Sequence, residues 1–304
     1  MLAQTAGLLL FYVILICKRM WIIVLKKVTC VIGIILYNSE LDILSKNIKD
    51  LLSGSFDAEV ILLDNTNGNS EQEIIEFFQG PLKDLASKIH YYKSENIGFG
   101  AGHNKIFEIA KQQYDFEYYL CCNPDGIAKY DLLDKLITFA KERQDKGLFE
   151  ARQFPIEHPK IYNPKTKETA WCSGCCVLAP KAVYEKLNGF DDDFFMYMED
   201  VDLSWRNKQL GNKCYIVDDA LFSHSVDNSN RDMTFTKKKM FESAYILGKK
   251  YSQFFFTLKY LRYFKKFADK NEVDELEKRE IKKNKNYRYT DFGHDLSFSK
   301  VRSR

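Results

Sequence analysis

The sequence predicts an α/β protein, a doubly wound sheet followed by a separate helical segment. Three observations carry this. Short β-branched apolar runs alternate with amphipathic stretches of helical period, the pattern of strands covered on both faces by crossover helices. Each apolar run ends in a polar loop rich in Asn, Asp or Gly. After Thr236 the alternation stops and the chain becomes helical, aromatic and basic. At 304 residues there is enough chain for one large domain and an extension.

Val28 to Leu36 (VTCVIGIIL) has lysines before it and Tyr37-Asn38-Ser39 after it, and reads as a buried parallel strand ending in a functional loop. Leu41 to Leu52 has apolar residues at helical spacing (Leu41, Leu44, Ile48, Leu51) and is stopped by Ser53-Gly54. Glu59 to Leu63 is a second strand running into Asp64-Asn65-Thr66, and Glu71 to Phe78 is helical. Ile89 to Tyr92 is a third strand, followed by the small-residue run Asn96 to Asn104 and a helix over Lys105 to Gln113. Tyr118 to Cys122 is a fourth strand, closed by Asn123-Pro124-Asp125. Leu132 to Ala140 is helical, and Phe149 to Thr169 is an irregular stretch that reads as a hairpin or lid. Trp171 to Ala179 is strand-like and contains Ser173-Gly174; Pro180 to Leu187 is a helix with proline in its first turn and Asn188-Gly189 as its stop. Lys213 to Val217 is a last strand, leading to Phe222-Ser223-His224-Ser225. Ligands of open α/β sheets sit beyond the carboxyl ends of the strands. Asn38, Asp64, Asn96 to Asn104 and Asp125 all fall at that edge.

The formal net charge of +3 creates no field suited to nucleic acid. Eight cysteines include the adjacent pairs Cys121-Cys122 and Cys175-Cys176, which suit reduced, buried thiols of a cytosolic protein better than a disulfide framework. Cys172-x-x-Cys175 has zinc spacing, but no second half follows it. The apolar run Ala6 to Cys17 is 12 residues long, short of the ~20 that span a bilayer. Its charges follow it, unlike those of a signal peptide; it reads as an artefact upstream of a start at Met20 or as a membrane-surface anchor. Near the other end, Phe254-Phe255-Phe256, Tyr260 and Phe264 lie among Lys259, Arg262, Lys265 and Lys266. Two readings stay open there: a helix lying on an anionic membrane, or one docked on the main domain with its lysines in water. Asn271 to Lys285 reads as an exposed helix.

The densest signal is Phe194 to Arg206 (FFMYMEDVDLSWR), where three carboxylates occupy four positions among aromatic and apolar residues. Charges placed among groups that favour burial are costly unless paired or used. On a helix Glu199 and Asp202 share a face and Asp200 points elsewhere. Such a turn can supply one carboxylate as a base and another as a brace, and it also suits a plain helix start, where acids complement the dipole.

Taken in order, VTCVIGIILYN, ILLDNTNGNS, NIGFGAGHN, CNPD, CSGCCVLAPKAVYEKLNGFDDDFFMYMEDVDLSWR and FSHSV resemble the inverting family 2 glycosyltransferases of the GT-A fold, especially bacterial rhamnosyltransferase-like members. The resemblance covers Val28 to Asn230. It implies a Rossmann-like mixed sheet flanked by helices over residues 28–235, an apolar and basic extension over 1–27, and a helical basic extension over 236–304.

By the same resemblance, Tyr37, Asn38, Asp64, Asn96, Gly98, Gly100, Asn104 and Asn123 surround the nucleotide. Asp64 can accept from a base N–H or a ribose hydroxyl, and small residues after Asn96 let backbone N–H groups approach a diphosphate at a helix start. Asn123-Pro124-Asp125 stands where the family has Asp-x-Asp, leaving Asp125 as the carboxylate. With His224 it is expected to meet Mg²⁺ or Mn²⁺, which acts as a Lewis acid on the departing diphosphate. Asp200 is the expected general base and Glu199 orients acceptor or base. Trp171, Ser173, Gly174 and Asp202 are expected at the donor sugar and acceptor, with Trp171 either stacked on a sugar or in the core and Asp202 also a brace. Asp191 to Asp193 read as a solvated turn. A single inverting displacement needs one base and a stabilised leaving group. The expected donor is dTDP-rhamnose and the acceptor a growing, lipid-linked surface glycan, which places a cytoplasmic enzyme on the inner membrane face. The alternatives are a UDP-hexose or UDP-N-acetylhexosamine donor, and a non-catalytic nucleotide-sugar-binding protein.

Overall fold

The computed structural model describes residues 25–68, 71–157, 160–224 and 232–284. Ala6 to Cys17, the FSHSV residues after His224 and residues 285–304 lie outside the described residues. The parallel half of the sheet holds β1 (Lys26–Leu36), β2 (Ala58–Asp64), β3 (Ile89–Lys93) and β4 (Tyr114–Cys122) in the order β3-β2-β1-β4. Its crossovers contain α1 (Leu41–Leu51), α2 (Glu71–Gln79) and α3 (Phe99–Gln113). The mixed half adds β5 (Gly126–Ala128), α4 (Leu132–Glu142), β6 (Gly147–Phe154), β7 (Glu168–Thr169), β8 (Cys176–Pro180), α5 (Lys181–Leu187), α6 (Glu199–Gln209) and β9 (Lys213–His224). There the order continues β4-β8-β6-β9-β5, with β8 antiparallel to both neighbours and β7 attached to β9. The chain ends in α7 (Met233–Lys250), α8 (Phe254–Phe264) and α9 (Lys270–Lys278).

Period-two burial explains the layers. Cys30, Ile32, Ile34 and Leu36 face α1 and α4, packing with Leu44, Ile48, Leu133 and Leu136. Val31 faces the opposite layer, with Ile106 and Phe107 of α3 and Tyr184 and Leu187 of α5. Each fully buried aliphatic side chain contributes about 1.5–3 kcal/mol. A third cluster joins Trp171, Phe194, Val201 and Trp205 to Tyr245, Leu247, Phe264, Val273 and Leu276, so α7, α8 and α9 are docked on the segment that carries the acidic motif. No helix among the described residues is long and apolar enough to cross a membrane. The seven cysteines among the described residues are all buried free thiols.

Several elements differ from the sequence expectation. Phe149 to Phe154, expected to be irregular, belong to strand β6, which pairs with β8 and β9, and β8 begins at Cys176 rather than Trp171. Helix α3 begins at Phe99 rather than Lys105. Its glycines mark close packing: a Cβ on Gly100 would lie 2.8 Å from Phe190 Cβ, and one on Gly102 would lie 2.6 Å from Ile35 Cδ1. Strand β9 continues past Val217 to His224 because it pairs with β5 and, after a register shift, again with β6.

Strand registers gather the polar loops. Leu36 is level with Asp64, Asp64 with Lys93, and Ile34 with Cys122. Antiparallel β8 starts at this same edge, Cys176 opposite Cys122, so Ser173-Gly174 arrives there too. Gly126 opposite His224 completes the row.

Candidate active site

Helix α6 is launched from an unusual turn. Tyr197 (φ 67°) and Met198 (φ 64°) are both left-handed, a conformation that costs on the order of 1–3 kcal/mol per non-glycine residue and persists only when its surroundings hold it. On one side Ser243 of α7 donates through Oγ to the Met196 carbonyl at 2.7 Å. On the other, the Phe99 amide donates to the Phe195 carbonyl at 2.9 Å. That contact needs glycine at 98: its φ is +86°, and a Cβ would fall 2.2 Å from the Phe195 oxygen. The close approach at Gly98 is thus made by the protein's own backbone.

The first turn of α6 sends its carboxylates to three environments. Glu199 is 6% exposed and its Oε2 meets no hydrogen-bond partner among the described residues. Burial, then the adjacent Asp200 charge, push its carboxyl well above the usual range. Asp200 is half-buried. It accepts from the Gly174 amide at 3.1 Å and the Val201 amide at 2.8 Å. Burial raises its pKa, while these amides and the Lys160 charge act the other way. Asp202 is fully buried; it accepts from Arg206 Nε at 2.7 Å and Tyr251 Oη at 2.9 Å and pairs with Lys250 at 2.6 Å. Glu199 and Asp202 therefore do face inward together. Asp202 is a brace between α6 and α7, the second of the two roles expected of it, and its carboxylate is fully buried.

Asp125 and His224, far apart in sequence, come together at the strand edge, His224 Nε2 lying 3.2 Å from Asp125 Oδ1. Asn123 is held beside them by its amide, which donates to the Cys175 carbonyl at 2.8 Å. Asp64 is fully buried at the end of β2 and bonds Thr66 N, Tyr91 Oη and Lys93 Nζ. Asn38 is left-handed (φ 49°), with its amide donating to Thr66 Oγ1, and the neighbouring Tyr37 is exposed. Asn96 accepts from the Gly98 amide.

Other expected site residues have structural work. Asn104 donates to the Phe190 carbonyl at 2.9 Å and accepts from the Phe190 amide at 2.9 Å and Tyr184 Oη at 3.0 Å. Gly100 admits Phe190, as described. Trp171 is 5% exposed inside the third core cluster, so it is no platform for a sugar. Asp191 to Asp193 form a turn with Asp192 exposed, as expected, but each carboxylate is engaged: Asp191 pairs with Lys250, Asp192 accepts from Asn104 at 3.1 Å, and Asp193 pairs with Arg279 at 3.3 Å.

Sequence reasoning missed Glu150 and Lys160. They form a buried ion pair, and Glu150 Oε2 also accepts from the Ser173 amide at 2.7 Å. A glutamate inside the otherwise apolar GLFEA run was the available signal, because an unpaired charge there is expensive.

The fold that carries this edge is that of a GT-A glycosyltransferase. The structure resembles that of GalNAc-T7 with UDP, GalNAc and Mn²⁺, with a TM-score of 0.63 and 11% identity, over 88% of this chain and 56% of that one. The sequence matches Glycosyl transferase family 2 over residues 31–204, more than half of its length, and the chain belongs to that family. It is 25% identical to the rhamnosyltransferase WbbL of Escherichia coli K12, over 65% of this chain and 84% of that protein. It is 32% identical to the N-acetylglucosaminyl-diphospho-decaprenol L-rhamnosyltransferase of Mycobacterium tuberculosis over 84 residues, which span 27% of each chain.

Proposed function

We propose that the protein is an inverting, metal-dependent sugar transferase with Asp200 as its general base. The observation that carries the reading is the setting of Asp200. It is half-buried at a helix start, aimed by two backbone amides, and adjacent to a carboxyl that burial favours in its protonated form. Asp200 takes the proton of the acceptor hydroxyl as its oxygen attacks the anomeric carbon and the bond to the diphosphate breaks on the opposite face. Glu199 retains its proton and donates a hydrogen bond to the acceptor. Ser173 and Gly174 form the floor beside Asp200. Asn38, Asp64, Asn96 and Asn123 line the nucleotide at the strand edge, while Gly98, Gly100 and Asn104 shape that loop.

Asp125 and His224 offer one carboxylate and one imidazole, a donor set that suits a divalent ion whose remaining positions go to phosphate oxygens and water. Mg²⁺ or Mn²⁺ there would stabilise charge on the leaving diphosphate. dTDP-rhamnose is the leading donor, supported by two relatives named as rhamnosyltransferases. The second relative's name specifies a diphospho-decaprenol-linked sugar as acceptor, which supports a lipid-linked glycan here. Helix α8 fits work at an anionic inner membrane face. Phe254 and Phe255 are 67% and 81% exposed, Lys259, Arg262 and Lys266 continue that surface, and no acid occurs between Tyr251 and Ala268.

Calorimetric titration with dTDP, UDP and GDP, each with and without Mn²⁺, tests the site. Metal-dependent binding of one of them, weakened about tenfold or more by Asp125→Ala, is expected. Failure of all three to bind would overturn the reading. Binding without any turnover would favour a nucleotide-sugar-binding protein.

A further inference from the structure

The Glu150 and Lys160 side chains are 2% and 1% exposed. Strand β6 brings the glutamate. The segment after it folds Lys160 back over Trp171, its Nζ 4.5 Å from the ring centroid. Withdrawing two charges from water costs several kcal/mol per ion, and an apolar pair of similar volume is often no less stable. The pair lies directly behind the proposed base. Glu150 Oε2 accepts from the Ser173 amide at 2.7 Å, and the next amide along the chain, that of Gly174, donates to Asp200 Oδ2 at 3.1 Å. Two consecutive N–H groups thus point at two different carboxylates. The dipeptide between them has no slack, since a Cβ on Gly174 would lie 2.8 Å from the Phe99 ring.

We propose that the Glu150–Lys160 pair is a positioning device for Asp200: Glu150 fixes the backbone that aims the base, and Lys160 supplies a positive charge that both carboxylates share. The proposal rests on the reading of Asp200 as base. Among the described residues, the ionisable groups around Asp200 are Glu199 on its own helix, Glu150 on β6, whose carboxyl burial raises and Lys160 lowers, Lys160 itself, and His103 on α3 behind Phe99. Burial drops His103 to about 3 and so keeps it neutral. Lys160 is the cation of this set. Without it, Asp200 loses the charge that opposes its burial and holds its proton to higher pH. Without the Glu150 charge, Lys160 acts on Asp200 undivided and the proton leaves at lower pH. One ion pair therefore predicts two shifts of opposite sign, which a packing role would not produce.

The test is a carboxyl ¹³C titration of the full chain labelled at aspartate, with the Asp200 resonance identified by its loss in Asp200→Asn. Lys160→Met is expected to raise the Asp200 midpoint by about one pH unit, and Glu150→Gln, which keeps an acceptor for the Ser173 amide, to lower it by about half a unit. Midpoints that stay at the wild-type value, or that move in the same direction, would overturn the proposal. Should Lys160→Met not fold, Glu150→Gln decides alone: a lowered midpoint supports the device and an unchanged one refutes it. The readout needs no substrate, so the two readings fail separately. Wild-type turnover by Asp200→Asn would remove the base assignment and leave the titration standing. Unmoved midpoints beside an inactive Asp200→Asn would remove only the device.

Discussion

Asp200→Asn separates chemistry from binding, and its size can be worked from the contacts of one carboxylate. The wild-type side chain accepts from two backbone amides, Gly174 at 3.1 Å and Val201 at 2.8 Å. Asparagine has one acceptor oxygen, so its NH₂ must face one of these donors. Losing a hydrogen bond to a charged acceptor costs about 1.5–3 kcal/mol. Relief from holding a half-buried charge offsets part of that, leaving a net loss of about 1 kcal/mol and a melting point lower by about 2–4 °C. Loss of a general base lowers the rate about 10²–10⁴-fold, or about 3–5 kcal/mol in the barrier. The assay is release of nucleoside diphosphate from the donor picked out by titration, run beside calorimetry of the nucleotide itself. The expected result is a fall in kcat of about a hundredfold or more, with nucleotide affinity changed by less than about threefold. A variant within tenfold of wild-type turnover would refute the base assignment. A comparable loss of nucleotide affinity would refute the separation of the two roles.

Glu199→Gln should stabilise the protein at neutral pH and not in acid. The folded chain holds the Glu199 proton more tightly than the unfolded chain does, so the glutamate's contribution is fully present below the unfolded value of about 4.3 and is lost as pH rises toward the raised native value. Melting points that differ equally at acid and neutral pH would contradict this. Lys250→Met removes a 5%-exposed cation from Asp191 and Asp202; with Arg206 still on Asp202, urea unfolding should show a loss of about 2–3 kcal/mol, and a loss below about 0.5 kcal/mol would discount the tether. Phe254→Ser with Phe255→Ser should reduce sedimentation with phosphatidylglycerol vesicles severalfold without changing nucleotide binding, and equal recovery would remove α8 as the membrane face.

The parallel half of the fold was legible because its strands contain short apolar or aromatic runs that end in polar loops, most plainly VTCVIGIIL before Tyr37 and Asn38. The start of α3 was not, because Gly100 and Gly102 read as loop residues until Phe190 and Ile35 are seen pressed against them. The far half of β9 was hidden by Asp218-Asp219, charges that sit where the sheet shifts register. The Glu199-Asp200 pair stood out because acids crowd among aromatics there. The inward turn of Asp202 followed from helical spacing, but its use did not, since Lys250 and Tyr251 reach it from another helix. Lys160 was invisible for the same reason: it is an ordinary charged residue until the fold sets it over Trp171 and against Glu150.

Asp202 also decides where this molecule can come apart. One buried carboxylate is gripped by Arg206 on its own helix and by Lys250 and Tyr251 at the end of α7, while Arg279 reaches Asp193 from just beyond α9. The change of composition near residue 236 is therefore no seam. Peeling the last helices away would strand a carboxylate in a core that cannot solvate it, so α6 and α7 open as one cooperative unit. Amide exchange over residues 199–209 and 236–250 should share a single protection free energy. Mechanically, the helix that carries Asp200 is tied through Lys250 and Tyr251 to the end of α7, and α8, which carries Phe254 and Phe255, shares the same apolar core.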